Sequence, residues 1–201
     1  MNQLTHTFSN PTNHSIAIVV PYRDRLDQLG VFLSYMHLFL KNQNVNYWIY
    51  IINQADQNPF NRAKLLNVGF VEASMDFNWT CFIFHDVDLL PKVSDHLYKC
   101  HGQPHGMNSV VEYETYDWYA YAQYFGGVSS ILSEQFRKVN GYSNSYWGWG
   151  GEDDDMFMRL SHHNLSMTRS STEIGRYKRI HHGQEHRNED RWNLLDGAHS
   201  R

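Results

Sequence analysis

Ser15-Ile16-Ala17-Ile18-Val19-Val20 is a short β-branched run followed by Pro21, and neither set of alternate positions in it is polar past Ser15. A strand with two apolar faces must be covered on both sides, which is the habit of parallel sheets flanked by helices. The next segment supplies such a cover. Leu26, Leu29, Phe32, Leu33, Met36, Phe39 and Leu40 recur at helical spacing up to the polar stretch Lys41-Asn42-Gln43-Asn44. Tyr47 to Ile52 then reads as a second strand, Asn61 to roughly Ala73 as a second helix, and Thr80 to Phe84 as a third strand. This β-α-β-α-β order predicts an α/β fold with a mostly parallel central sheet flanked by helices, and ligands in such sheets bind beyond the carboxyl ends of the strands. Three polar clusters fall there: Tyr22 to Arg25, Asn53-Gln54, and His85 to Asp88. Farther on come an aromatic-rich stretch from Tyr113 to Phe125, a helix from Ser133 to Val139 and another starting near Glu152.

The 201 residues, 41% hydrophobic and 19% charged, fit one domain. A core of this size buries roughly 70% of the unfolded chain's surface, so folding requires neither metal nor disulfide. Seventeen Lys and Arg stand against 21 Asp and Glu, a formal charge of −4, which argues against a nucleic-acid partner. The longest apolar stretch, Tyr47 to Ile52, is far short of a membrane span, and the polar first fifteen residues do not read as a signal peptide, so no membrane anchor is expected in this chain. Cys81 and Cys100 fit two reduced thiols or one bridge, and spacing alone does not decide. Sequons at Asn13, Asn78 and Asn164 matter only in a secretory compartment.

Two acidic groups carry the chemistry. Asp86-Val87-Asp88 follows an apolar strand, where period-2 geometry would put both carboxylates on one side, suited to Mg²⁺ or Mn²⁺. The plain alternative is a solvated strand end. Tyr146-Trp147-Gly148-Trp149-Gly150-Gly151 runs directly into Glu152-Asp153-Asp154-Asp155. Acidic residues suit a first helical turn, but four adjacent carboxylates exceed what capping needs. At least one is expected to serve as a base or as an acceptor for a hydroxyl-rich ligand. Arg23, Arg25 and Arg62 suit phosphate recognition on the same rim, and His181, His182 and His186 form a late histidine cluster.

Phe60 to Gly69, Asp86 to Asp88, Tyr124 to Val128 and Trp147 to Asp155 occur in the order and at the spacing of the animal β-1,4-galactosyltransferase family, which the chain resembles from about Ile16 to His199. The resemblance implies a single glycosyltransferase catalytic domain of GT-A fold. It implies inverting transfer of galactose from UDP-galactose to the 4-hydroxyl of a terminal N-acetylglucosamine, glucose or xylose, with Mn²⁺ as cofactor and the Golgi lumen as location. By position, Pro21, Arg23, Arg25, Phe60 and Arg62 would hold the UDP moiety. Asp86, Val87 and Asp88 would sit at the donor, with Asp88 on the metal. Trp149 would close over the donor, Glu152 would contact the transferred sugar, and Asp153 would be the general base. Tyr124, Gly151, Asp153, Asp154 and Leu195 would face the acceptor, and the bulk of Tyr124 would disfavour N-acetylgalactosamine. Cys81 and Cys100 match a family disulfide.

Some positions depart from the family pattern. Arg179 stands where the family commonly has a metal-binding methionine, three residues before His182, and Arg cannot ligate a metal. Either His181 substitutes for it on the metal beside Asp88 and His182, or metal affinity is reduced. Glu114 aligns with a lysine that assists the donor phosphates in some members. The family's N-terminal anchor and stem, and its C-terminal extension, have no counterpart in these 201 residues. The competing expectation is a catalytically silent UDP-sugar or glycan-binding protein of the same fold.

Overall fold

A computed structural model describes residues 15–183 and 187–199. His186 and the Asn13 sequon lie outside the described residues. Strand β1 (Ser15–Tyr22) is followed by α1 (Leu26–Lys41), β2 (Asn46–Asn53), α2 (Arg62–Asp76) and β3 (Cys81–His85). Then come β4 (Leu89–Pro91), β5 (His105–Gly106), β6 (Val110–Glu112), β7 (Asp117–Tyr119) and β8 (Val128–Leu132). Helices α3 (Ser133–Lys138) and α4 (Glu152–His162), strands β9 (Thr168–Arg169) and β10 (Arg176–Arg179), and α5 (Arg191–His199) complete the chain. None of the described helices is long and apolar enough to cross a membrane.

The apolar alternation of β1 divides the core in two. Ile16, Ile18 and Val20 pack with Phe32, Met36 and Leu40 of α1, while Ala17 and Val19 pack with Ala63, Leu66 and Phe70 of α2. β3 repeats the division, Cys81 and Ile83 joining the first cluster and Phe82 and Phe84 the second. Leu26, at the start of the α1 stripe, is exposed. Pro21 does not end β1, which runs on to Tyr22 beside β2; the pairing with β3 has already stopped at Val19, so the missing N–H falls where one neighbour is gone.

The main sheet has the order β2-β1-β3-β8-β5-β9. It is mostly parallel, as expected: β1 runs parallel to β2 and β3, and β5 to β9, while β8 alone runs antiparallel, to both β3 and β5. The helical crossovers of the first half force parallel pairs, and the irregular path into β8 lifts that constraint. A smaller sheet, β4-β10-β6-β7, stands beside it, and β10 pairs antiparallel with β4 so that Arg179 lies opposite Leu89. That register sets Arg179 beside Asp88. Cys81 and Cys100 are bonded, with their Cα atoms 5.7 Å apart.

Candidate active site

At the carboxyl ends of β1 and β3 lies a cavity of about 640 Å³. Its wall takes Pro21, Arg23 and Arg25 from the end of β1 and the loop after it, Phe60 and Arg62 from the start of α2, and Asp86, Val87 and Asp88 from the turn after β3. Trp149, Gly151, Glu152, Asp153 and Asp154 enter from the Gly-rich loop and the first turn of α4, and Tyr124 from the loop before β8. Sequence positions more than 130 residues apart thus share one wall. Asn53-Gln54 does not: Gln54 is buried, accepts from Asn61 N at 2.9 Å, and donates to Asn58 O and Pro59 O, so it shapes the loop that presents Phe60.

Asp86-Val87-Asp88 is a turn joining β3 to β4, not a strand end with alternating faces, and all three residues line the cavity. Its backbone is held by Asp86 N donating to Gly127 O at 3.0 Å and by buried His85, whose Nδ1 donates to Asp86 O at 2.9 Å and whose Nε2 accepts from Tyr98 at 2.8 Å. Burial lowers the His85 pKa to about 4, so the ring is neutral and fixed in that tautomer.

The four carboxylates of α4 have different fates. Gly151, at φ 98°, takes the left-handed turn that aims the first helical turn into the cavity. Asp155 is turned away, its Oδ2 accepting from Arg159 Nε at 2.6 Å one helical turn on. Asp154 Oδ1 accepts from Tyr121 at 2.7 Å. Glu152 Oε1 lies 3.6 Å from Arg62 Nη1, an ion pair beyond hydrogen-bond distance, and both Glu152 Oε2 and Arg62 Nη1 are buried without a hydrogen-bond partner. Such orphaned polar atoms in a cavity wall suit a ligand's hydroxyls. Asp153 is 9% exposed, and burial, with Glu152 and Asp154 nearby, raises its pKa to about 8 against the opposing pull of Arg62. A carboxyl so tuned is a proton acceptor near neutrality.

Beside them, Arg62 Nε donates to Asp86 Oδ1 at 2.6 Å, and the Arg23 guanidinium stands 5.3 Å from the Phe60 ring centre. Asp88 Oδ2 lies 2.9 Å from His182 Nε2, and His182 Nδ1 donates to Gly183 O. Alone, this pair resembles two adjacent metal ligands. Arg179 changes that: its Nε donates to the same Asp88 oxygen at 2.9 Å, and its Nη2 lies 3.1 Å from the same His182 nitrogen. Burial would push the Asp88 pKa up, but the hydrogen bonds from His182 and Arg179 more than offset it and hold it down. Among the described residues no group of three His, Cys, Asp or Glu side chains is placed to hold a metal ion. The donor set in this arrangement does not fit a resident divalent ion, because a guanidinium with no lone pair sits on both ligand atoms.

Comparison with known proteins shows the family. The sequence profile for the N-terminal region of glycosyl transferase group 7 matches residues 8–101, and that for the N-terminal domain of galactosyltransferase matches residues 107–183. The catalytic domain of Drosophila β1,4-galactosyltransferase 7, solved with xylobiose, superposes with a TM-score of 0.79 at 33% identity, covering 91% of this chain and 79% of that one. The chain belongs to the β-1,4-galactosyltransferase family. Human β-1,4-galactosyltransferase 1 is 46% identical over 176 residues, 88% of this chain and 44% of the relative, and human β-1,4-galactosyltransferase 4 is 47% identical over 175 residues, 87% and 50%. The chain thus spans about half the length of the curated relatives it matches. A mutant of the Drosophila enzyme, solved with manganese, UDP-Gal and xylobiose, superposes with a TM-score of 0.75 at 33% identity. The GT-A fold of these β-1,4-galactosyltransferases is the fold described above.

Within this family frame, three expectations change. His181 is exposed, outside the cavity wall, and its carbonyl accepts from Gln28 at 2.9 Å, so it does not replace the missing metal ligand. Leu195 is buried at 6% exposure behind the wall; Arg191 and Trp192, at the start of α5, are the helix's residues in the cavity wall, Trp192 with 62% exposure. Glu114 is exposed and off the wall, so it does not face the donor end. Sequence reasoning also missed Trp118, Tyr121 and Arg191 in the wall. The aromatic richness from Tyr113 to Phe125 was the available signal for the first two.

Proposed function

We propose that the chain transfers galactose from UDP-galactose to the 4-hydroxyl of a terminal N-acetylglucosamine, glucose or xylose, with inversion at the anomeric carbon. Asp153 carries this reading: a buried carboxyl with raised proton affinity, in a cavity that Arg23, Arg25 and Arg62 also line. The Asp153 carboxylate takes the proton of the attacking hydroxyl as that oxygen bonds to C1 of galactose. The C1–O bond to the diphosphate breaks, and its electron pair leaves on the UDP oxygen. One base suffices for such an in-line displacement. Arg23, Arg25 and Arg62 face the developing charge on the diphosphate, where preorganised donors are most effective.

The remaining roles follow from position. Glu152 Oε2, buried without a hydrogen-bond partner, accepts from a hydroxyl of the transferred sugar. Trp149, 61% exposed beside Gly148 and Gly150, covers the bound donor and excludes water. Tyr124, packed edge-on against Trp118 at 4.8 Å, limits the space at the sugar and favours galactose over N-acetylgalactosamine. Gly151 and Asp154 border the acceptor. We place this activity in the Golgi lumen; the Cys81–Cys100 bridge supports an oxidising compartment.

The test is UDP release from UDP-galactose with N-acetylglucosamine, glucose, a β-xyloside or no acceptor, alongside UDP binding by calorimetry. Acceptor-dependent release lost in Asp153→Asn, with UDP affinity held within about twofold, is the expected result. UDP binding without release under any condition overturns the transferase in favour of a silent sugar-nucleotide-binding protein.

A further inference from the structure

We infer that Arg179 is the cation of the donor site: its guanidinium takes the place of a divalent ion between Asp88 and His182 and meets the diphosphate of the donor directly. The inference rests on the donor-site reading above and goes beyond it by naming the group that carries the charge. β10 delivers Arg179 to this point. Its pairing with β4 sets Arg179 opposite Leu89, and Ile180 N donates to Asp88 O at 2.7 Å, which locks the strand end to the acidic turn. The guanidinium then spans the two candidate ligand atoms, at 2.9 Å from Asp88 Oδ2 and 3.1 Å from His182 Nε2. Its plane also lies over the Tyr113 ring, 5.0 Å from the centre, which holds it against the cavity wall.

Two physical consequences follow. An ion bound to both ligand atoms would need the guanidinium to leave both, and would then sit beside a like charge in a partly buried site. The guanidinium, in turn, carries five N–H donors in a fixed fork, of which Asp88 Oδ2 accepts one, while His182, donating to Asp88 and to Gly183 O, accepts none. That fork suits a diphosphate's oxygens. The side chain is 23% exposed, enough for an anion in the cavity to reach it. As galactose leaves, the negative charge appearing on UDP is met by a group already in place, with no ion to recruit. Asp88 and His182 then serve as positioning residues for Arg179 rather than as metal ligands.

The experiment measures UDP affinity by calorimetry and Mn²⁺ binding by loss of the free-ion electron paramagnetic resonance signal. The full chain and its Arg179→Met and Arg179→Lys variants are each compared in EDTA and in Mn²⁺. The expected result for the unmodified chain is UDP affinity in EDTA within about threefold of that in Mn²⁺, with weak Mn²⁺ binding. Arg179→Met should lose at least about tenfold in UDP affinity in EDTA, regain it with Mn²⁺ and bind that ion more tightly, while Arg179→Lys retains part of the EDTA affinity. UDP binding by the unmodified chain that collapses in EDTA and returns with Mn²⁺ overturns the inference without needing any variant. Arg179-dependent UDP binding in EDTA with no sugar transfer would keep this inference and remove the transferase reading. Absence of UDP binding in both conditions would overturn both.

Discussion

Arg62 Nε donates to Asp86 Oδ1 at 2.6 Å while Nη1 of the same guanidinium stands 3.6 Å from Glu152 Oε1. One cation thus lies between the donor-side and acceptor-side carboxylates. It lowers the proton affinity of both Asp86 and Asp153 against the dominant effect of burial. Arg62→Met leaves Asp86 without its partner in a site where the arginine side chain is 12% exposed. The expected cost is about 3 kcal/mol, seen as a fall in Tm of roughly 6–12 °C. Transfer should also require a higher pH, because Asp153 holds its proton more tightly. An acid limb that stays in place would remove Arg62 from the electrostatics of the base.

Asp153 sets the direction of the pH dependence. Burial and its acidic neighbours raise it to about 8, and a base must be unprotonated to act, so activity rises with pH. kcat/KM should climb about tenfold per unit below pH 8 and level off above it. Stability moves the opposite way. The folded protein favours neutral Asp153, an advantage that is full below the unfolded carboxyl's range near about 4 and lost as pH rises through about 8. Asp153→Asn should therefore be inactive yet gain in Tm over the unmodified chain as pH increases from 4 to 8. A Tm difference flat across that range would show that the fold does not strain this carboxyl.

The first half of the chain was legible because periodicity there is unambiguous: the two-faced run of β1, the stripe of α1 and the apolar β3 each demand one structure. Strand direction is not written in periodicity, so the antiparallel β8 was invisible. The acidic first turn of α4 and the rim arginines could be read from residue type alone. Arg179 on Asp88 could not, since the contact joins residues 91 apart through the register of β10 on β4. Trp192 was overlooked for Leu195 because only the docking of α5 shows which of its side chains reaches the cavity.

The Cys81–Cys100 bridge ties the buried start of β3 to the segment after β4, closing a sequence separation of 19 residues. Loops of this length gain about 3 kcal/mol from closure of the unfolded chain. A double variant, Cys81→Ala with Cys100→Ala, should lose that amount in urea unfolding, with a somewhat larger m-value because its unfolded chain is less compact. Reductant should bring the unmodified chain to the same midpoint and leave the variant unaffected. Unfolding insensitive to reductant would mean that the bridge does not form.

Gly126 tests how closely the base must be placed. A Cβ there would stand 2.7 Å from Tyr124 Cε2 and 2.8 Å from Asp153 Oδ2, closer than such atoms come, so both side chains must move. Both are ends of side chains facing the cavity rather than parts of the packed core, and the fold can yield there at small cost. Catalysis cannot, since a displacement of about 1 Å at a reacting group costs about 100-fold. Gly126→Ala is therefore expected to lower kcat by about 10- to 100-fold while UDP affinity stays within about twofold and Tm within about 2–4 °C, the equivalent of 1 kcal/mol. The measurement pairs steady-state transfer with calorimetric UDP binding. An unchanged kcat would show that the Asp153 carboxylate does not act from the position beside Gly126, and would move the search for the base to Asp154, one residue on and still in the cavity wall.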